Sequence, residues 1–87
     1  HLFFGEAILE PRTTEQPMRV VQPARSTSYR ELNVQYRFEF FDAQGRPVRS
    51  NPGWQYVRML PRVETFLAGS AQDLDAVDYR LTVRPAQ

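Results

Sequence analysis

The chain has 87 residues, a net charge of +1 and no cysteine. A chain this short predicts one domain, residues 1–87, with a thin core, and the absence of thiols excludes disulfide staples, thiolate metal ligands and a cysteine nucleophile. The near-neutral charge provides no global field for nucleic acid or an anionic membrane, and no apolar run approaches the ~20 residues of a spanning helix.

The first nine residues, HLFFGEAIL, read as a strand with Gly5 as a bulge. MRVVQPARS reads as a second strand, broken by Pro23. The clearest signal follows. Val34, Tyr36, Phe38 and Phe40 alternate with Gln35, Arg37 and Glu39, and this period of two places aromatic and β-branched residues on one face. Phe41 interrupts the alternation and predicts a bulge or a side chain tucked under the sandwich end. In DAQG, residues 42–45, Asp42 can accept backbone N–H bonds from two or three residues on, and Gly45 can take positive φ. The return strand is expected near Pro47 and Val48. YVRMLP, RVETFLAGSA and DYRLTVR supply the remaining strands, the last with Tyr79, Leu81 and Val83 on one face. Between them AQDLDAV reads as one short turn, with Asp73 as its cap. Short strands separated by PRTTEQP, RSTSYR, SNPG and QDLD predict an all-β fold: an antiparallel, immunoglobulin-like β-sandwich of six to seven strands.

Candidate chemistry is sparse. The one histidine is His1, at a chain end, so no Ser–His nucleophile is expected. The six Glu and four Asp are spread through turns and outward strand positions, and no pair stands out as acid and base. No cofactor motif is present, and the reading is of a protein that is not an enzyme. All the basic residues are arginine; they are scattered, which fits compositional bias better than a recognition cluster. YRFEFF interleaves aromatic and charged residues, but its aromatics occupy the face a sandwich buries, so core is favoured over base stacking.

Two stretches carry binding readings. Asp73, Asp75 and Asp78 fall within six residues and offer oxygen ligands for calcium in a loop at the sandwich end, but their spacing does not match an EF-hand loop, and a polar turn capped by Asp73 is favoured. RSNPGWQY, residues 49–56, sets Trp54 and Tyr56 beside a tight turn. Trp54 either anchors a partner or returns to cover the thin core; a single Trp in a small domain favours the core. Tyr29, in the loop before the long strand, is a further contact candidate.

LNVQYRFEFFDAQGRPV, WQYVRMLPRVETFLAGSA and DYRLTVR together resemble the YcfL-type small bacterial envelope lipoproteins, a family of predicted periplasmic lipoproteins of unknown function. The residues that carry the resemblance are Tyr36, Arg37, Phe38, Phe41, Asp42, Gly45, Trp54, Pro61, Ala71 and Arg80. It implies a periplasmic immunoglobulin-like domain tethered to a membrane, the outer one being expected, by a lipidated cysteine. The chain starts with His1 instead of Met, so that anchor is expected upstream in a processed protein. The resemblance carries over no catalytic residue. The resulting expectation is an interaction or structural module recognising an envelope protein through a sheet edge or loop end, with self-association through an edge strand as a further route. The alternative is a calcium- or small-ligand-binding sandwich.

Overall fold

The computed structural model describes residues 2–50 and 53–86. Its strands are β1 (Leu2–Phe4), β2 (Ile8–Glu10), β3 (Arg19–Ser26), β4 (Leu32–Phe41), β5 (Gln55–Met59), β6 (Glu64–Ser70) and β7 (Asp78–Pro85). They form two antiparallel sheets. In the first, β3 is central, with β6 along one side and β1 and β2 end to end along the other. In the second, β4 is central between β5 and β7. The fold is the expected all-β sandwich.

Pro23 does not break its strand, contrary to the expectation, and the register explains why. In an antiparallel ladder the N and O of one residue point to the same neighbour. Pro23 O accepts from Gly5 N at 3.0 Å, so its ring nitrogen also faces the first edge. There the chain leaves the ladder between β1 and β2. The Gly5 carbonyl takes its hydrogen bond from Gln22 Nε2 instead, at 2.7 Å. A buried side-chain amide thus replaces the N–H that proline lacks. Gly5 accordingly opens a gap between two short strands where a bulge was expected.

The inner faces follow the two-residue period. Val20, Gln22, Ala24 and Ser26 of β3 point inward and are buried. Tyr36, Phe38 and Phe40 of β4 face them. The Phe38 and Phe40 rings stack at 6.1 Å, and Tyr36 meets Phe38 edge-on at 6.2 Å. Leu67 of β6 and Met59 of β5 close the core. Gly69 is required for this closure. A Cβ there would lie 2.6 Å from Phe38 Cγ and 3.0 Å from Phe38 Cβ, closer than packed atoms approach, so only glycine lets that ring sit against β6.

The 42–45 turn forms as expected. Asp42 Oδ1 accepts from the N–H groups of Gln44 and Arg46, each at 2.9 Å, and Gly45 takes φ 78°. The return strand is shorter than expected: Pro47 makes one bridge to Phe41, Val48 N donates to Phe40 O, and β5 then pairs with the first half of β4. Phe41 keeps the alternation, opposite Asp78 on the outer face, under the Arg80 guanidinium at 5.5 Å.

Candidate functional site

The outer face of the second sheet is built from the polar half of the β4 alternation. Tyr56, Gln35 and Arg84 lie in register across β5, β4 and β7, and Arg37 lies opposite Thr82 in the next outward row. Trp54, just before β5, lies over these rows. The Arg84 guanidinium is 3.7 Å from its ring centroid and that of Arg37 is 4.7 Å away. Gln35, although on the outer face, is only 9% exposed, because the indole and Arg84 cover it. Its Oε1 accepts from Arg84 Nε at 2.6 Å. Trp54 therefore packs on the outside of the sheet, not over the core between the sheets, and the core reading of this residue is corrected. Tyr56 beside it is 72% exposed.

Charge on this face is unevenly matched. Glu39 Oε1 accepts from Arg80 Nε and Nη2, both at 3.2 Å, and stands 3.7 Å from Arg37 Nη2. One carboxylate oxygen thus serves two guanidiniums. Arg84 has no carboxylate partner among the described residues. Arg37 Nε is buried without a hydrogen-bond partner among them.

A second feature lies on the flank where β1 of one sheet faces β7 of the other. An apolar groove of about 680 Å³ runs there, its walls including Leu2, Phe4, Val34, Tyr79, Leu81 and Val83, with Gln22 and Arg84 among its few polar groups. Tyr79, Leu81 and Val83 pair with Phe40, Phe38 and Tyr36, so they point inward, yet they are only partly buried. Phe4 remains 45% exposed. The strand order explains the opening. β1–β2, β3 and β6 take the places of strands A, B and E of an immunoglobulin sandwich, and β5, β4 and β7 those of C′, C and F. No strand among the described residues occupies the place of G, beside β7.

The other candidates lie apart. Tyr29, 84% exposed, sits at the end of the sandwich, with the Arg62 guanidinium 5.5 Å from its ring. Arg62 holds φ 60° in the turn after Pro61, a position that usually favours glycine. Asp73 Oδ1 accepts from Asp75 N at 2.8 Å, and Asp78 Oδ1 accepts from Tyr79 N at 2.8 Å. The Asp73 carboxylate thus holds its turn, that of Asp78 bonds within the start of β7, and no group of three potential metal ligands occurs among the described residues. His1 lies outside the described residues.

Strand order and open flank together define an immunoglobulin-like β-sandwich in which no strand among the described residues lies beside β7 on the side away from β4. The chain belongs to the DUF1425 family, proteins of unknown function, whose model matches residues 8–85. It is similar in fold to a DUF1425 family member from Shewanella sp. pv-4, with TM-score 0.84 and 18% identity over 99% of this chain and 79% of that one. It is also similar to Campylobacter jejuni cj0090, with TM-score 0.78 and 23% identity over 93% of this chain and 83% of that one. No curated protein matches. Nothing in the family description or in these sites points to catalysis.

Tyr56 and Trp54 were legible as contact candidates from their turn, but Gln35, Arg37 and Arg84 were not. Their roles depend on which strands become neighbours. The groove was hidden for the same reason: Tyr79, Leu81 and Val83 have the pattern of core residues, and they are accessible because no described strand lies beside β7 on the side away from β4.

Proposed function

We propose that this domain is a non-enzymatic protein-interaction module of the bacterial envelope, of the YcfL lipoprotein type, tethered to the outer membrane by a lipid upstream of residue 1. It captures an extended apolar segment of a partner protein. The observation that carries this reading is the groove between β1 and β7. β7 has a paired side, toward β4, and a side without a strand neighbour among the described residues. Its inward residues Tyr79, Leu81 and Val83 recur every second position, a spacing that suits the alternate side chains of an incoming strand. Such a strand would take main-chain hydrogen bonds from β7 and fill the place beside it that no described strand occupies. The same groove has the volume of a small-ligand pocket, which keeps an apolar small molecule as the second reading.

A photo-crosslinking residue at Phe4, in the full-length protein in its own cells, tests the reading. Phe3 is the control, because it points to the opposite face of the same strand and is 66% exposed. The expected result is one protein adduct from position 4 and none from position 3. Equal adducts from both positions, or none from either, would overturn strand capture; an adduct with a second copy would make the groove a self-association surface. The intact mass of the mature protein tests the anchor: a mass without an acylated glyceryl-cysteine removes it.

A further inference from the structure

We infer that Arg84, held by Gln35 and Trp54, is a preorganised receptor for a carboxylate side chain presented by an acidic peptide segment. The argument starts from the shape of a guanidinium. Its face stacks on aromatic rings, while its donors lie in the plane and point outward from the edge. Stacking on Trp54 at 3.7 Å therefore uses only the face of Arg84. The bond from its Nε to Gln35 Oε1 uses one edge position. The two Nη groups make no hydrogen bond to any described residue, and they form the fork that binds a carboxylate with two parallel bonds.

The support beneath this fork is rigid. Gln35 is nine-tenths buried and sits on the central strand of its sheet. The side-chain freedom of Arg84, which a carboxylate would otherwise have to restrict, is already restricted before binding. A free surface arginine spends that entropy on each contact, which is why exposed ion pairs contribute little.

The charge pattern selects the ligand. Arg37 and Arg84 approach the same indole, and the nearby carboxylate, Glu39, is engaged more closely by Arg80. Three arginines against one carboxylate leave a surplus of about two positive charges, which an acidic segment can match with one carboxylate on the Arg84 fork and a second beside Arg37. A phosphate matches this charge but has no side chains to lay on the Tyr56 ring, and the phosphate arm of the titration below separates the two. Tyr56, exposed in the same cross-strand row, offers a ring for the neighbouring peptide residues. Arg84 also borders the groove, but its guanidinium stacks on Trp54 on the outer face, whereas strand capture rests on the apolar wall of Tyr79, Leu81 and Val83 and on Phe4 opposite.

Trp54 is the only tryptophan in the chain, so its fluorescence reports on this site alone. The test titrates the protein with capped hexaglutamate at constant ionic strength, with capped hexaglutamine and inorganic phosphate as the other arms. The expected result is a saturable change with hexaglutamate and none with hexaglutamine. Arg84→Gln should weaken the hexaglutamate response at least tenfold while the domain stays folded, its melting temperature falling by only about 2–8 °C for the lost ring contact. An equal response to hexaglutamine, a response unchanged in Arg84→Gln, or saturation by phosphate at lower concentration than by the peptide would overturn the inference. Each of these outcomes leaves the crosslinking result at Phe4 untouched, so the two readings fail separately.

Discussion

The two faces of β4 are ten residues of one strand solving two different problems. Its inner face, Tyr36, Phe38 and Phe40, is held by burial and ring packing against β3, β6 and β7. Its outer face, Gln35, Arg37 and Glu39, is held by stacking, charge and a single buried hydrogen bond under Trp54. Burial is non-directional and scales with area, so the inner face carries most of the stability. The outer face contributes little to stability but fixes the direction of a few polar groups. The inner face of the strand serves folding, and the outer face holds the arginines on which the inferred carboxylate binding rests.

The comparison breaks most visibly at Phe40, which is 1% exposed. Phe40→Ala should cost about 3–5 kcal/mol. A domain of this length typically has about 4–13 kcal/mol in total. Denaturant melting should show a large drop in midpoint; a loss below about 1 kcal/mol would mean that the inner face is not the main support.

Gly69→Ala approaches the same ring from the other sheet. The added Cβ must displace Phe38 or β6, and the expected cost is about 1–3 kcal/mol. Gly69→Ala combined with Phe38→Leu should recover part of it, because the smaller side chain makes room. Absence of any recovery would place the strain elsewhere.

Trp54→Ala tests the outer face. It removes two exposed cation–ring contacts, each about 0.5–1 kcal/mol, so the melting midpoint should fall by roughly a quarter of the Phe40→Ala effect. A loss as large as that of Phe40→Ala would show that Trp54 supports the core after all.

The smallest effects are pH dependences, one from the inner face and one from the hairpin at the strand end. Burial raises the Tyr36 hydroxyl above its ordinary 10.0, while that hydroxyl donates to Gln55 Oε1 at 2.9 Å. A raised value means the folded state keeps its proton longer. Stability is therefore full below pH 10.0 and falls as pH rises through the folded value, and Tyr36→Phe should remove that slope from melting curves. At the hairpin, the N–H of Arg46 holds the Asp42 carboxyl below its ordinary 3.8, with the N–H of Gln44 and the Arg46 charge adding to it. Its contribution is full above 3.8 and is lost as pH falls through the lower folded value. Asp42→Asn retains an acceptor for both N–H groups and should flatten the acid limb.

Much of the fold was legible because it rests on local chemistry. The β4 alternation, the Asp42–Gly45 turn and the Tyr79–Leu81–Val83 stripe each follow from side-chain direction or from a turn that few residues can make. Reading failed where a partner strand decides the outcome. Pro23 looked like a strand breaker, yet its nitrogen faces the gap between β1 and β2, where the Gln22 side chain supplies the donor that proline lacks. Trp54 looked like cover for the core because one tryptophan in a small domain is usually buried there. Its place on the outer face follows from the β4–β5 register, which sets Tyr56 opposite Gln35.

By itself, then, the sequence determined the class of the fold, the long central strand, its hairpin and the absence of thiol chemistry, since composition and a two-residue period depend only on the chain. The tertiary structure alone decided which inward-facing residues remain accessible in the β1–β7 groove and which arginine meets Trp54. Both depend on strand order and register, which bring together residues as distant in sequence as Gln35 and Arg84, and no local pattern encodes the neighbour a strand will acquire or lack.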